Sequence, residues 1–79
     1  MIFSDYVKSI RQKSILSQEE FAKELGVSYT TVNRWENGKT LPSYKTMKIL
    51  ESYCLKHGIG FIDPEQVWSE KNNIAKGGN

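Results

Sequence analysis

Five residues in the middle of the chain, Tyr29, Thr30, Thr31, Asn33 and Arg34, can all donate or accept hydrogen bonds. Val32 and Trp35 are interleaved among them at i, i+3 spacing, which puts the two apolar residues on one helical face and the polar five on the other. A helix with an apolar back, a polar front and a guanidinium fork in the middle of that front has the chemistry of a probe for a groove. The major groove of B-DNA is about 12 Å wide, admits one α-helix, and has a floor of donors, acceptors and thymine methyls. Arg34 can make a bidentate contact to guanine O6 and N7 there. Thr30 and Thr31 offer a hydroxyl and a methyl suited to thymine, and Tyr29 can meet a base edge or a phosphate. A solvated helix face carries the same residue types, so polarity alone leaves that plainer reading open.

Such a probe must be held by its neighbours. Ser17 is a good N-cap, and Glu20 follows at the capping-box spacing. Phe21, Ala22 and Leu25 then share one helical face. Gly26 can take the left-handed conformation that closes a helix. Val27 is an apolar linker residue and Ser28 can cap the next helix. The pattern predicts helices over 18–25 and 29–37, the second ended by Asn37-Gly38. Gln18 lies in the first turn of its helix, where free N–H groups and the dipole favour a phosphate. It can add its amide to that contact and brace Tyr29 or Thr30, or it is an ordinary first-turn residue. Asn37, Lys39, Thr40 and Ser43 crowd the following loop and suit a second phosphate contact, or form a turn with a surface lysine. Arg11 and Glu36 are a candidate ion pair between the first helix and the end of the probe helix. Its use would be orientation more than strength, because buried pairs are often near neutral for stability.

The flanking elements are read in the same way. Phe3, Tyr6, Val7 and Ile10 predict a helix over about 3–13, with Ser4 or Asp5 as its cap. Leu41 before Pro42 is pushed toward extended backbone. Ser43 caps a helix over about 44–57 in which Met47, Leu50 and Cys54 form one apolar line, with Ile49 and Tyr53 beside it. Ile59 to Ile62 is an apolar connector. Asp63-Pro64 starts a short fifth helix over about 64–72 with Val67 and Trp68 on its apolar face. The polar segment 72–79 is expected to be disordered. The result is one domain over 1–71, with the paired helices at 17–38 as its core, in an all-α bundle of four to five short helices.

Composition narrows the function. The 79 residues form one small domain, 38% apolar with nine aromatics among its three Phe, four Tyr and two Trp, enough for one helical core but not for an enclosed ligand pocket as well. One cysteine and one histidine exclude an intrachain disulfide and a zinc site; Cys54 reads as a buried apolar group and His57 as a helix-end residue. No stretch approaches a membrane span, and Met1 to Asp5, with its acidic residue, reads against a signal peptide. A soluble cytoplasmic protein is expected. The net charge of +2 says little, but its distribution says more. Arg34, Lys39, Lys45 and Lys48 face only Glu36 within 28–48, whereas Glu19, Glu20 and Glu24 outnumber Lys23 in 17–25. No phosphate loop, nucleophile elbow or zinc-protease motif is present, and the carboxylates sit on an exposed helix, so an enzyme is not expected.

The run Leu16-Ser17-Gln18-Glu19-Glu20-Phe21-Ala22, followed by Leu25-Gly26-Val27-Ser28 and then Val32 and Arg34-Trp35-Glu36-Asn37-Gly38, closely resembles the helix-turn-helix domain of the phage repressor and Cro family, also called the xenobiotic-response-element family. The resemblance covers about residues 5–57. It implies a lambda-repressor-like bundle that binds double-stranded DNA, usually as a dimer on a pseudo-palindromic operator, with the second helix of the motif in the major groove. Carried over by position, it implies that Tyr29, Thr30 and Arg34 face bases and that Asn33 reaches a base or a flanking phosphate. Gln18, Thr31, Asn37, Lys39, Thr40 and Ser43 would face phosphates, and Arg11 and Glu36 match the family's interhelical ion pair. The family often has Gln or Ser where Tyr29 and Thr30 stand, which bears on the operator sequence and not on the docking mode.

Small members of the family often dimerise through the region after the fourth helix, so Phe61, Ile62 and Trp68 are expected either to cap the monomer core or to form part of a homodimer interface. The expected function is that of a nucleoid-associated transcriptional regulator, more a repressor than an activator, with no cofactor, metal or small-molecule ligand evident. The alternative is a protein-interaction module, an antitoxin or adaptor that keeps the fold. The chain also reads as compatible with being the DNA-binding part of a longer protein.

Overall fold

The computed structural model describes residues 3–61. They form four helices: α1 (Phe3–Lys13), α2 (Gln18–Leu25), α3 (Tyr29–Glu36) and α4 (Tyr44–His57). No strand occurs among the described residues. The expected fifth helix at 64–72, the side chains of Ile62, Val67 and Trp68, and the segment 72–79 lie outside them.

Local sequence explains three of the four starts. Serines cap three of the four helices: Ser17 accepts from the Glu20 N–H, Ser28 from the Thr31 N–H and Ser43 from the Thr46 N–H. The capping box at α2 is reciprocal, since the Ser17 N–H donates to Glu20 Oε1 at 2.9 Å. The Ser17 backbone and hydroxyl contacts hold the Glu20 carboxyl below its ordinary range. The expectation for α1 is corrected. The helix begins at Phe3, so Ser4 and Asp5 lie inside its first turn. Asp5 there complements the helix dipole instead of capping the end.

The four helices also end alike. Each closes with a six-residue backbone bond: Leu16 N–H to Arg11 O, Val27 N–H to Ala22 O, Lys39 N–H to Arg34 O and Ile59 N–H to Cys54 O. This is the Schellman pattern, which needs one residue in the left-handed region. Gly26, Gly38 and Gly58 supply it for α2, α3 and α4 at φ +72°, +71° and +66°. At the end of α1 the same place is held by Ile15, at φ 56° and 89% exposed.

The core is built as the spacing predicted. Phe3, Val7, Ile10, Phe21, Val32, Trp35, Leu50 and Cys54 are fully buried, with Tyr6, Ala22, Leu25, Met47 and Tyr53 close behind. Leu16, Val27, Leu41, Ile49, Ile59 and Phe61 pack against this cluster. Trp35 meets Phe3 edge-on with ring centroids 6.1 Å apart, and Phe21 meets Tyr53 the same way at 5.5 Å. Tyr53 also donates to Ser14 Oγ at 2.8 Å, tying α4 to the turn between α1 and α2. Phe61 lies against Tyr6 at 6.3 Å, and Tyr6 donates to Gly60 O at 2.8 Å, so the connector after α4 folds back over α1. Burial pushes the Cys54 thiol pKa up.

Candidate nucleic-acid interface

The back of α3 is sealed into the core: Val32 is 0% and Trp35 2% exposed. Its front opens to solvent at Tyr29, Thr30 and Arg34, with Thr30 and Arg34 one helical turn apart. Lys39 and Thr40 in the next loop are exposed, as are Lys45 and Lys48 on α4. Ser43 is exposed at the start of α4, where its hydroxyl serves as the cap and also meets Thr46 Oγ1 at 3.0 Å. Thr31 is half-buried, and its hydroxyl shares a 2.9 Å hydrogen bond with that of Ser28.

The orientation of α3 is set from below. Glu36 is the buried charged residue of the core. Arg11 reaches it from α1 with two parallel hydrogen bonds, Nε to Oε2 at 2.7 Å and Nη2 to Oε1 at 3.0 Å. The third arm of the guanidinium, Nη1, donates to Leu16 O at 2.9 Å. One side chain thus joins α1, the α1–α2 turn and the end of α3. Burial alone would raise the Glu36 pKa, but the hydrogen bonds from Arg11 and Gln18 and the positive charge of Arg11 and Lys8 outweigh it and hold it below the ordinary range. Reciprocally, the hydrogen bond to Glu36 raises the Arg11 pKa.

Gln18 lies in the first turn of α2, as spacing predicts, but it does not make the brace to Tyr29 or Thr30 that is one of its two readings. Instead Gln18 Nε2 donates to Glu36 Oε1 at 3.0 Å, and Asn33 Nδ2 donates to Gln18 Oε1 at 3.1 Å. Asn37 Nδ2 in turn donates to Asn33 Oδ1 at 3.0 Å. The physical reason is the buried carboxylate: a charged acceptor at the far end of α3 outcompetes a neutral hydroxyl or phenol for the amide. Asn33, read from sequence as part of the exposed front, is half-buried and turned toward α2. Its i, i+3 spacing to Glu36 and i, i+4 spacing to Asn37 were the available signals that these groups share a face.

Among the described residues no cluster of His, Cys, Asp or Glu could hold a metal ion, and no helix is long and apolar enough to cross a membrane. The arrangement is a rigid helix that presents hydroxyls, a phenol and a guanidinium, flanked by a loop with a lysine.

Comparison with known proteins agrees with this geometry. The helix-turn-helix family profile matches residues 7–55. The chain is 32% identical over 53 residues to the HTH-type transcriptional activator BcrR of Enterococcus faecalis, a match covering 67% of this chain and 26% of that protein. It is 33% identical over 57 residues to antitoxin PezA of Streptococcus pneumoniae, covering 72% of this chain and 34% of the relative. An uncharacterized HTH-type transcriptional regulator of Archaeoglobus fulgidus is 36% identical over 67 residues, covering 82% of this chain and 94% of its own. The chain thus spans about a quarter to a third of the first two relatives. No solved structure matches it. The chain belongs to the Cro/C1-type helix-turn-helix family of DNA-binding transcriptional regulators.

Proposed function

We propose that the protein binds one double-stranded DNA site sequence-specifically, with α3 in the major groove, and acts as a repressor by occupying a promoter. The observation that carries this reading is the two-sidedness of α3. Its apolar back is locked by Trp35 and by the Arg11–Glu36 clasp, while Tyr29, Thr30 and Arg34 stand free on its front. Arg34 reads a guanine through its fork, and Thr30 and Tyr29 contact neighbouring base edges. Thr31, Lys39, Thr40 and Ser43 meet phosphates on either side, and Gln18 and Asn37 meet phosphates at the α2–α3 junction. The operator is pseudo-palindromic and is bound by a homodimer in the cell's cytoplasm.

A binding selection from genome fragments tests the proposal. The expected outcome is a palindrome whose half-sites lie about one helical turn apart. Recovery of fragments with no shared motif would overturn it.

The similarity to an antitoxin favours one second reading, in which the same fold also holds a partner protein. A stable protein complex isolated from the native host, together with no shift of any selected DNA, would favour that reading over the first.

A further inference from the structure

The three amides at the α2–α3 junction form a one-way chain. Asn37 donates to Asn33, Asn33 to Gln18 and Gln18 to Glu36, at 3.0, 3.1 and 3.0 Å. An isolated amide can turn either way, because its oxygen and nitrogen ends are alike in size. Here the chain ends on a carboxylate that Arg11 keeps ionised, and an ionised carboxylate only accepts. Gln18 must therefore turn its NH2 toward Glu36 and its oxygen toward Asn33. Asn33 must then turn its NH2 toward Gln18 and its oxygen toward Asn37. Both carbonyl oxygens accept one bond inside the chain, and each nitrogen keeps one further N–H.

We propose that the Arg11–Glu36 clasp sets the direction of this relay, so that Gln18 and Asn33 meet DNA as hydrogen-bond donors to phosphate oxygens, and Asn33 does not read adenine. An Asn that reads adenine must accept from N6 while donating to N7. Asn33 Oδ1 already accepts from Asn37, so adenine N6 would have to share that oxygen, whereas a phosphate needs only the spare N–H. Phosphate oxygens only accept, and they match the spare N–H groups that the relay leaves on Gln18 and Asn33. Arg11 and Glu36 are positioning residues that act through Gln18 and Asn33 without touching the nucleic acid. The inference rests on the DNA-binding reading above and adds to it the role of these four side chains.

The test joins two measurements on the full chain. The first is the side-chain amide NMR spectrum of the DNA-free protein. Gln18 and Asn33 NH2 signals are expected away from free-amide positions and slow to exchange, and both should return toward free values in Glu36→Gln. The second is affinity for the selected site as a function of salt. Simple Coulomb attraction predicts that removing a carboxylate beside DNA tightens binding. The relay predicts the opposite sign, with Glu36→Gln about tenfold weaker at a single salt concentration. The salt slope should be unchanged, because neutral donors release no counterions.

Should Glu36→Gln lose its folded circular-dichroism signal, Asn33→Leu makes the same test without touching the clasp. It should free the Asn37 amide signals, leave the Gln18 NH2 displaced by its bond to Glu36, and weaken all operator variants alike. Equal or tighter binding by folded Glu36→Gln overturns the proposal, as does a loss in Asn33→Leu confined to one A·T position. Free-value amide signals in the wild-type protein overturn the relay whatever the DNA result. Displaced, slowly exchanging signals in a wild-type protein that binds no DNA overturn the regulator reading and the phosphate role together, while leaving the hydrogen-bond direction standing.

Discussion

Arg11 and Glu36, 25 residues apart in the chain, grip each other through two parallel hydrogen bonds of 2.7 and 3.0 Å. The Glu36 side chain is 2% exposed and that of Arg11 18%. Removing one partner strands the other. Arg11→Met is expected to destabilise the fold by about 3–5 kcal/mol, because an unpaired carboxylate stays buried. The double variant Arg11→Met/Glu36→Leu should recover much of that loss. Urea denaturation of the three proteins measures both steps, and a double variant no more stable than Arg11→Met would contradict the account.

The same carboxylate makes stability depend on acid. Its pKa in the folded state lies below the ordinary 4.5, so the unfolded chain takes up a proton first as pH falls. The contribution is whole above the ordinary value and is lost as pH falls through the lower folded one. Glu20 acts in the same direction through the Ser17 backbone and hydroxyl bonds. Thermal melts between about pH 6 and about pH 3 should therefore show a steady loss of Tm in the wild type. The loss should be smaller, though not abolished, in Glu36→Gln.

Ile15 occupies a backbone conformation that the other three helix ends give to glycine. The left-handed region costs an ordinary L-residue roughly 1–2 kcal/mol, and the 89% exposed side chain gains little from packing in return. Ile15→Gly should stabilise the domain by up to about 1 kcal/mol, after the greater entropy of unfolded glycine is subtracted. A lower urea midpoint for this variant would show that the side chain is held by something other than the turn.

Arg34 and Lys39 should separate cleanly in DNA binding. Arg34→Ala is expected to cost about 1–3 kcal/mol at the selected site and to relax the preference at one base pair. Lys39→Ala should weaken every sequence alike and reduce the slope of log K against log salt by about 0.9. Fluorescence anisotropy over a salt series distinguishes the two, and an Arg34→Ala loss uniform over all sequences would remove Arg34 from the readout.

The helix ends carry a last prediction. Ser17→Ala removes the acceptor for the Glu20 N–H and unpairs the capping box, at a cost of about 1 kcal/mol. Ser28→Ala should cost as much and should also free the Thr31 hydroxyl. Hydrogen exchange at the first-turn amides of α2 and α3 reads each loss locally.

What the residues determine on their own is local. Caps at Ser17, Ser28 and Ser43 and closing glycines at 26, 38 and 58 place three of the four helices, and the spacing of Phe21, Leu25, Val32 and Trp35 gives the inner faces of α2 and α3, because each signal acts within one or two turns. Tertiary structure decided the rest. Spacing could nominate Arg11 for Glu36, but only packing of α1 against α3 made the contact bidentate and carried the third arm to Leu16. Gln18 looked able to brace Tyr29 or Thr30 and bonds Glu36 instead, since an amide's preference depends on which acceptor the fold brings near. The left-handed turn at Ile15 has no signature in its residue type. The turn that joins α1 to α2 requires it, and the front of α3 faces outward because Arg11, 25 residues away in sequence, holds the buried Glu36 on its other side.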